Sequence, residues 1–425
     1  MKKIVLLNGV LLDPTRRSQQ PTNLLFAGGK LVGMGYVPDE DEENLVKIDL
    51  AGAWIVPNIV DGYAHLGEPG FEERETFASA GQAAIHGGVT SLVATPDTRP
   101  YCDTPEMVRF VQERSFDEHL PKIWPLGSLT KSLLGTDLSE IGLMKSAGAV
   151  GFTDCKSLDN PAMMLNALRY SSHFGAPILV QPDDAYLSLG GAMHEGVTSS
   201  LLGLKGLSPL AEETHLARDL AILEQTEGLL HVVNVSTKRS VDLIRKSKEK
   251  GLSVTASCAP HYLMYTDKDL DGYDTALKVK PPFRTHEDIE ALQAGLRDGT
   301  IDMLISVHCP RTVDEKRADF SSAEFGLSSL DLFVPLVVDR LHHEMGLDPL
   351  VIFEKITTAP QKLYGLSGSG VSLGSYPNLT VIDPTQSTEI SEDFFKSKSK
   401  NSPFIGKSIR GKVRLVMIHG QIVLE

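Results

Sequence analysis

IVDGYAHLGEPGFEERETFASAGQAAIHGGVTSLVAT, residues 59–95, reads as a strand, a glycine- and proline-bearing turn, an amphipathic helix and a second strand. Strands are expected at Ile59–Tyr63 and Thr90–Thr95, with a helix over Glu75–His86 between them. The same rhythm then repeats. Further strands are expected at Ile123–Leu126, Ala149–Thr153, Pro177–Gln181, Leu230–Val235, Ser253–Ser257 and Ile301–Ser306. Helical stretches fall between them, at Pro161–Phe174, Ala211–Thr226 and Lys238–Lys250, the last opened by the helix-start signal Ser236-Thr237. With Ser328–His343 as the eighth helix, the units fit a closed (β/α)8 TIM-type barrel of the α/β class better than an open sheet.

On either side of this region the pattern changes. Residues 1–57 carry short β runs (Ile4–Leu7, Leu24–Ala27, Lys30–Met34, Val46–Leu50) and no convincing helix. Asn8-Gly9 is a two-residue hairpin signal, so strand, turn, strand is expected there. The β runs return after Leu366, at Leu379–Ile382, Val413–Ile418 and Ile422–Leu424, and the Ser/Lys-rich stretch Thr385–Asn401 is expected to be a surface loop. Each end is too small to bury a core alone. Residues 1–57 plus 366–425 are therefore expected to form one small β-sandwich beside a barrel of residues 58–365.

Composition narrows the function classes. The 425 residues include 55 acids against 41 bases, a formal net charge of −14. That balance argues against nucleic acid or an anionic membrane as partner. Four cysteines (Cys102, Cys155, Cys258, Cys309) without a CxxC pair make neither a disulfide scaffold nor a zinc finger. Lys2-Lys3 before Ile4–Leu7 resembles the start of a signal peptide, but Asn8-Gly9 breaks the run and no cleavage site follows. A cytoplasmic protein without a membrane span is expected.

In a barrel of this kind, function sits at the C-terminal strand ends. The first end reads Val60-Asp61-Gly62-Tyr63-Ala64-His65-Leu66-Gly67-Glu68-Pro69-Gly70, followed by Glu72-Glu73-Arg74-Glu75-Thr76 and Gly87-Gly88-Val89-Thr90. Further along stand Gly151-Phe152-Thr153-Asp154, His194-Glu195-Gly196, Val235-Ser236-Thr237-Lys238, Pro281-Pro282-Phe283-Arg284 and Gly406-Lys407. In this order the motifs resemble those of the dihydroorotases, in the amidohydrolase superfamily, across nearly the whole chain. The resemblance implies the barrel with its small β-sandwich and a place in pyrimidine biosynthesis. It also implies a two-zinc centre that opens or closes the cyclic amide of dihydroorotate, with a strand-eight aspartate as base.

The chain departs from that pattern where the chemistry should be. Of the implied metal ligands only His65 is kept; Tyr63, Cys155, Gln181 and Asn234 stand at the others, and Val307, before His308, stands where the base should be. Gly67 stands where the resemblance implies an arginine for the substrate carboxylate, and Asp97 and Lys280 replace two asparagines. Losing one outer partner of a metal ligand typically costs about 10–100-fold in affinity or activity, and here several direct ligands differ together.

The expectation is accordingly a non-catalytic member of the family. Tyr63, His65, Gly67, Asp97, Cys155, Gln181, Asn234, Lys280, Val307, His308 and Arg311 would line a vestigial pocket, with no metal and no other cofactor. The resemblance implies a structural role, as a partner of aspartate transcarbamoylase and/or a homo-oligomer. Two alternatives stand beside it: a cyclic-amide hydrolase, weak or with a remodelled site, and a module binding small anions through Lys280 and Arg311. Residue by residue, His65 is read as a satisfied barrel-mouth histidine. A zinc site drawing on Cys155, Cys309, His65 and His308 is the minority reading, because neighbours on a strand point opposite ways. Asp97 is expected to pair with Lys280 or Arg311, and Asp314–Arg317 to be a solvated loop.

Overall fold

The computed structural model describes residues 3–37, 45–367 and 370–425. Eight parallel barrel strands run in sequence order: Val60–Ala64, Ser91–Ala94, Lys122–Pro125 continuing as Gly127–Ser128, Phe152–Thr153, Pro177–Val180, Leu229–Val232, Val254–Cys258 and Met303–Leu304. The first and last meet where Ala64 bridges His308 and the His65 N–H donates to the His308 carbonyl at 2.8 Å, which closes the barrel. Strands covered on both faces have no polar side to show. Pro177–Val180 is accordingly buried at every position.

The helices start where capping chemistry allows. Thr76 and Ser79 cap Phe77–His86 reciprocally, so that helix begins two residues later than its pattern suggested and Glu75 turns inward instead. Proline opens the helices Pro161–Ser172 and Pro209–Leu223, where its missing N–H costs nothing. Leu330–Glu344 is one helical run that tightens at its start and widens at its end, buried from Leu330 to Asp339.

Strands from both chain ends form one further sheet beside the barrel. Its order places Trp54–Pro57 between Lys3–Asp13 and Leu379–Glu389, with Ser18–Ala27 and Lys30–Met34 beyond the former and Ser408–Ile418 and Gln421–Leu424 beyond the latter. The two halves enclose Leu6, Leu24, Phe26, Leu379, Val381 and Leu415 in a core of their own. The hairpin expected at Asn8-Gly9 is not formed. Lys3–Asp13 continues through it as a single strand whose pairing slips between Leu6 and Gly9. Asn8 takes a left-handed φ of 55° and ties its amide to Asp49, so the pair makes a bulge rather than a turn.

The expected surface loop at 385–401 is also corrected. The strand Leu379–Glu389 takes its first part, and the rest is bound to the barrel. Phe395, Ser397 and Ser399 point inward while Lys396, Lys398 and Lys400 point out, the period-two alternation of extended chain. Asp331 accepts from the Lys396 and Ser397 N–H groups, which anchors the segment. The composition looked like loop because Ser397 satisfies the buried Glu75, Ser399 the Arg311 carbonyl, and the lysines face water.

Inside the barrel, His231 on the sixth strand is 1% exposed and bonds Thr255 at 2.8 Å and Ser257 at 3.0 Å. Burial, helped by Lys248, pushes its pKa down to about 3. The folded chain therefore binds fewer protons here than the unfolded chain, in which histidine titrates near 6.5. This contribution is complete above pH 6.5 and is lost as pH falls towards 3, by up to about 1.4 kcal/mol per pH unit. Urea titrations of the wild type and His231→Gln between pH 7 and 5 should show a shallower pH slope in the variant. Equal slopes would refute this account.

Candidate active site at the barrel mouth

Three strand ends bring their side chains to one point. His65 follows the first strand, Asp97 the second and Cys155 the fourth, and their ligand atoms all lie within 4.8 Å of one another. His65 Nδ1 is 2.8 Å from Asp97 Oδ2, with side chains 21% and 35% exposed, and the Thr95 hydroxyl lies 3.1 Å from the same nitrogen. Burial disfavours the imidazolium, but the Asp97 carboxylate outweighs it and raises the His65 pKa to about 9. Burial likewise pushes the Asp97 carboxyl up, and the facing His65 more than reverses this, holding it well below the usual range. Burial raises the Cys155 thiol. The Tyr63 ring stands edge-on to His65, centroids 5.5 Å apart. Its hydroxyl lies beside Cys155 and Thr153 without a hydrogen bond of good geometry to either.

The other expected site residues are spent on the scaffold. Gln181 donates to the Lys280 carbonyl at 2.9 Å, and Asn234 accepts from the Ala259 N–H at 3.1 Å. His308 accepts from the Ser329 and Leu330 N–H groups at Nδ1, leaving Nε2–H for Glu75 at 3.2 Å. It therefore does not join His65. Cys309 faces the Phe325 carbonyl at 3.9 Å. Gly67 has φ +76°, and a Cβ there would lie 2.8 Å from two backbone oxygens, so no side chain fits in this loop. Asp154, beside Cys155, accepts from the Leu129 and Thr130 N–H groups, which makes it a structural acid.

The ion pairs also differ from expectation. Asp97 pairs with His65, not with Lys280 or Arg311; Lys280 pairs with Asp183 at 2.7 Å. Arg311 donates to the Phe325 carbonyl at 2.7 Å and lies 3.8 Å from Glu315, which also holds Arg74. The stretch at 314–317 is not a loop but the end of a short helix, Val313–Lys316, capped by Thr312; within it Lys316 is 8% exposed and donates to the carbonyls of Thr275 and Glu324. Lys280 and Arg74 reached carboxylates and Lys316 reached carbonyls that spacing along the chain does not reveal.

Cys155, Asn234 and Val307 all sit at strand ends with φ between 48° and 56°. For a β-branched valine this region is a true outlier, costing about 1–3 kcal/mol, and such strain collects at functional sites. A cavity of about 30 Å³ opens beside His65, Asp97, Cys309 and Arg311, room for about one water. A larger cavity, about 590 Å³, lies at the opposite end of the barrel, near Leu229, Thr255 and Met303.

Comparison with known proteins agrees with this geometry. Residues 52–240 match a family described as dihydro-orotase-like, and residues 187–423 match the amidohydrolase family. A dihydroorotase of Pelotomaculum thermopropionicum is 36% identical over 425 residues, covering 100% of this chain and 99% of that protein. One of Ruminiclostridium cellulolyticum is 36% identical over 424 residues, covering 100% and 99%. Among solved structures, an L-hydantoinase (dihydropyrimidinase) from Arthrobacter aurescens superposes with a TM-score of 0.86 at 23% identity, covering 100% of this chain and 96% of that one, which shows the shared fold.

These findings overturn two expectations. A non-catalytic chain was expected, but relatives a third identical over the full length are named dihydroorotases, which supports a hydrolase. No metal was expected, but that kinship is to a metal-dependent family and the mouth gathers three ligand-bearing side chains. The ligand-bearing residue not weighed in the zinc reading was Asp97. Its position at the second strand end was legible; that it turns towards His65 was not.

Proposed function

Because the chain belongs to the dihydroorotase family, we propose that it is a metal-dependent cyclic-amide hydrolase acting at the C-terminal mouth of its barrel, with dihydroorotate as first substrate. The convergence of His65, Asp97 and Cys155 from three strand ends carries this reading. The residues present fit a metal: a nitrogen, a carboxylate oxygen and a sulfur, all types that zinc accepts. A cation held there supplies Lewis-acid polarisation of a ring carbonyl and a more acidic water.

The chain's own groups do the rest. Tyr63 closes the floor beneath the three ligands and excludes water from that side, being 1% exposed. Arg74 and Arg311, drawn together by Glu315, line the mouth beside His65 and Asp97. The partly exposed side of the His65–Asp97 pair is the face from which a ring reaches them. Asp183 neutralises Lys280 at the rim and leaves it placed to meet an anionic ring substituent by exchanging partners.

The test is turnover. Protein purified without chelator and supplied with zinc should release carbamoyl-aspartate from dihydroorotate, and chelation should stop it. Absence of turnover on dihydroorotate, and on uncharged cyclic amides such as dihydrouracil and hydantoin, would overturn the proposal.

A further inference from the structure

We infer that the mouth binds one thiophilic divalent cation per chain, of the zinc class, through His65 Nδ1, Asp97 Oδ2 and the Cys155 thiolate, with the Tyr63 hydroxyl facing the ion. This is a single-ion, sulfur-bearing centre in place of a bridged pair. The inference rests on the metal-dependent reading of the mouth, yet it is read from metal content rather than turnover, so the two can fail separately.

Geometry supports one ion. In a tetrahedral site with bonds of about 2.0–2.3 Å, neighbouring ligand atoms lie about 3.3–3.6 Å apart. The three atoms already lie within 4.8 Å of one another, and His65 Nδ1 and Asp97 Oδ2 are 2.8 Å apart. Opening that contact by about half an ångström while the thiol moves in by about one ångström admits the ion, a shift within side-chain rotation. Two protons leave as it binds, one from between His65 and Asp97 and one from the thiol. The 2+ charge then meets one carboxylate and one thiolate, and the centre is neutral.

A second, independent observation points the same way. Tyr63 is 1% exposed, and its hydroxyl lies beside Cys155 and Thr153 without a hydrogen bond of good geometry to either. A buried hydroxyl left unpaired costs about 1–3 kcal/mol. An ion at the three ligands, or the water it carries, would give that oxygen its partner.

Among the described residues the same structure leaves no converging ligands for a second ion. Gln181 and Asn234 are bound to backbone groups, Val307 is apolar, and His308 spends both ring nitrogens on Glu75 and the 329–330 backbone. Among the described residues no other group of three ligand-bearing side chains converges. The sulfur sets the class of ion: thiolates favour zinc and its soft neighbours, whereas magnesium and calcium take oxygen ligands.

The test uses the full chain, stripped and reloaded with Zn²⁺ or Co²⁺. One equivalent of either should remain after gel filtration, and a large excess of Mg²⁺ should not displace it. The Co²⁺ form should show a thiolate-to-cobalt charge-transfer band in the near ultraviolet. Cys155→Ser should lose that band, Cys309→Ser should keep it, and His65→Ala should bind at least about tenfold more weakly. Circular dichroism checks that each variant is folded. Should Cys155→Ser fail to fold, blocking of Cys155 against alkylation by bound zinc in the wild type, read by peptide mass, gives the same answer. Two equivalents of metal, none, or a cobalt spectrum without the Cys155-dependent band would each overturn the inference.

Discussion

Glu75→Ala is expected to cost the folded state about 3–5 kcal/mol, the summed penalty of taking a buried acceptor away from several donors at about 1–3 kcal/mol each. Glu75 is 0% exposed, and its carboxylate accepts from the Ser79 and Ser397 hydroxyls, from the Lys398 N–H at 3.2 Å and from His308 at 3.2 Å. Burial alone would raise its pKa, but His308 and the two serines outweigh burial and hold it below the usual glutamate range. Alanine leaves the His308 N–H and the Ser397 hydroxyl without an acceptor in a dry interior, while Ser79 keeps the Thr76 carbonyl. Glu75→Gln keeps the volume and one acceptor oxygen and should fall between the two. Urea unfolding at pH 7 measures it, and a change below about 1 kcal/mol would show that the 395–399 segment is not held as described.

Asp97→Asn is the second large effect, and it falls on activity. If the centre hydrolyses cyclic amides, removing this charge should lower kcat/KM by about 10²–10³-fold, within the span general acid–base groups and metal ligands supply. The fold should hardly notice, because Asp97 is 35% exposed and its pair with His65 is open to water on one side. An unfolding midpoint within about 1 kcal/mol of wild type, together with the activity loss, is the expected signature. Undiminished turnover would move the chemistry away from the His65–Asp97 pair.

The barrel was legible because its evidence is local. Alternating apolar strands, capped helices and their order need no knowledge of distant contacts, and all eight strands lie within a few residues of their expected places. The centre was only half legible. That Tyr63, Gln181, Asn234 and Val307 are not histidines or an acid is a fact of the chain, and it led towards an empty site. What the residues at those positions do instead is a fact of space. Asp97 was expected to turn to Lys280 or Arg311, but the turn after the second strand aims it at His65, and Cys155, expected only to line a vestigial pocket, is turned the same way with a left-handed φ of 56°. The Thr385–Asn401 stretch was misread for the same reason, since the acids that Ser397 meets, Glu75 and Asp331, lie far off along the chain.

Trp54–Pro57 sits between a strand from the start of the chain and one from its end, and this governs the order in which the molecule can be made. On the ribosome that strand emerges with one neighbour beside it and must wait, open-edged, while the whole barrel is synthesised. An open edge accepts any strand that reaches it, so a nascent chain stalled short of Leu379 is exposed to the wrong partners. Glu75 waits too, because Ser397 and Lys398 follow it by 322 and 323 residues. Cutting the chain short of Ser397 is therefore not the trimming of a tail: it withdraws bonds from residues made long before it.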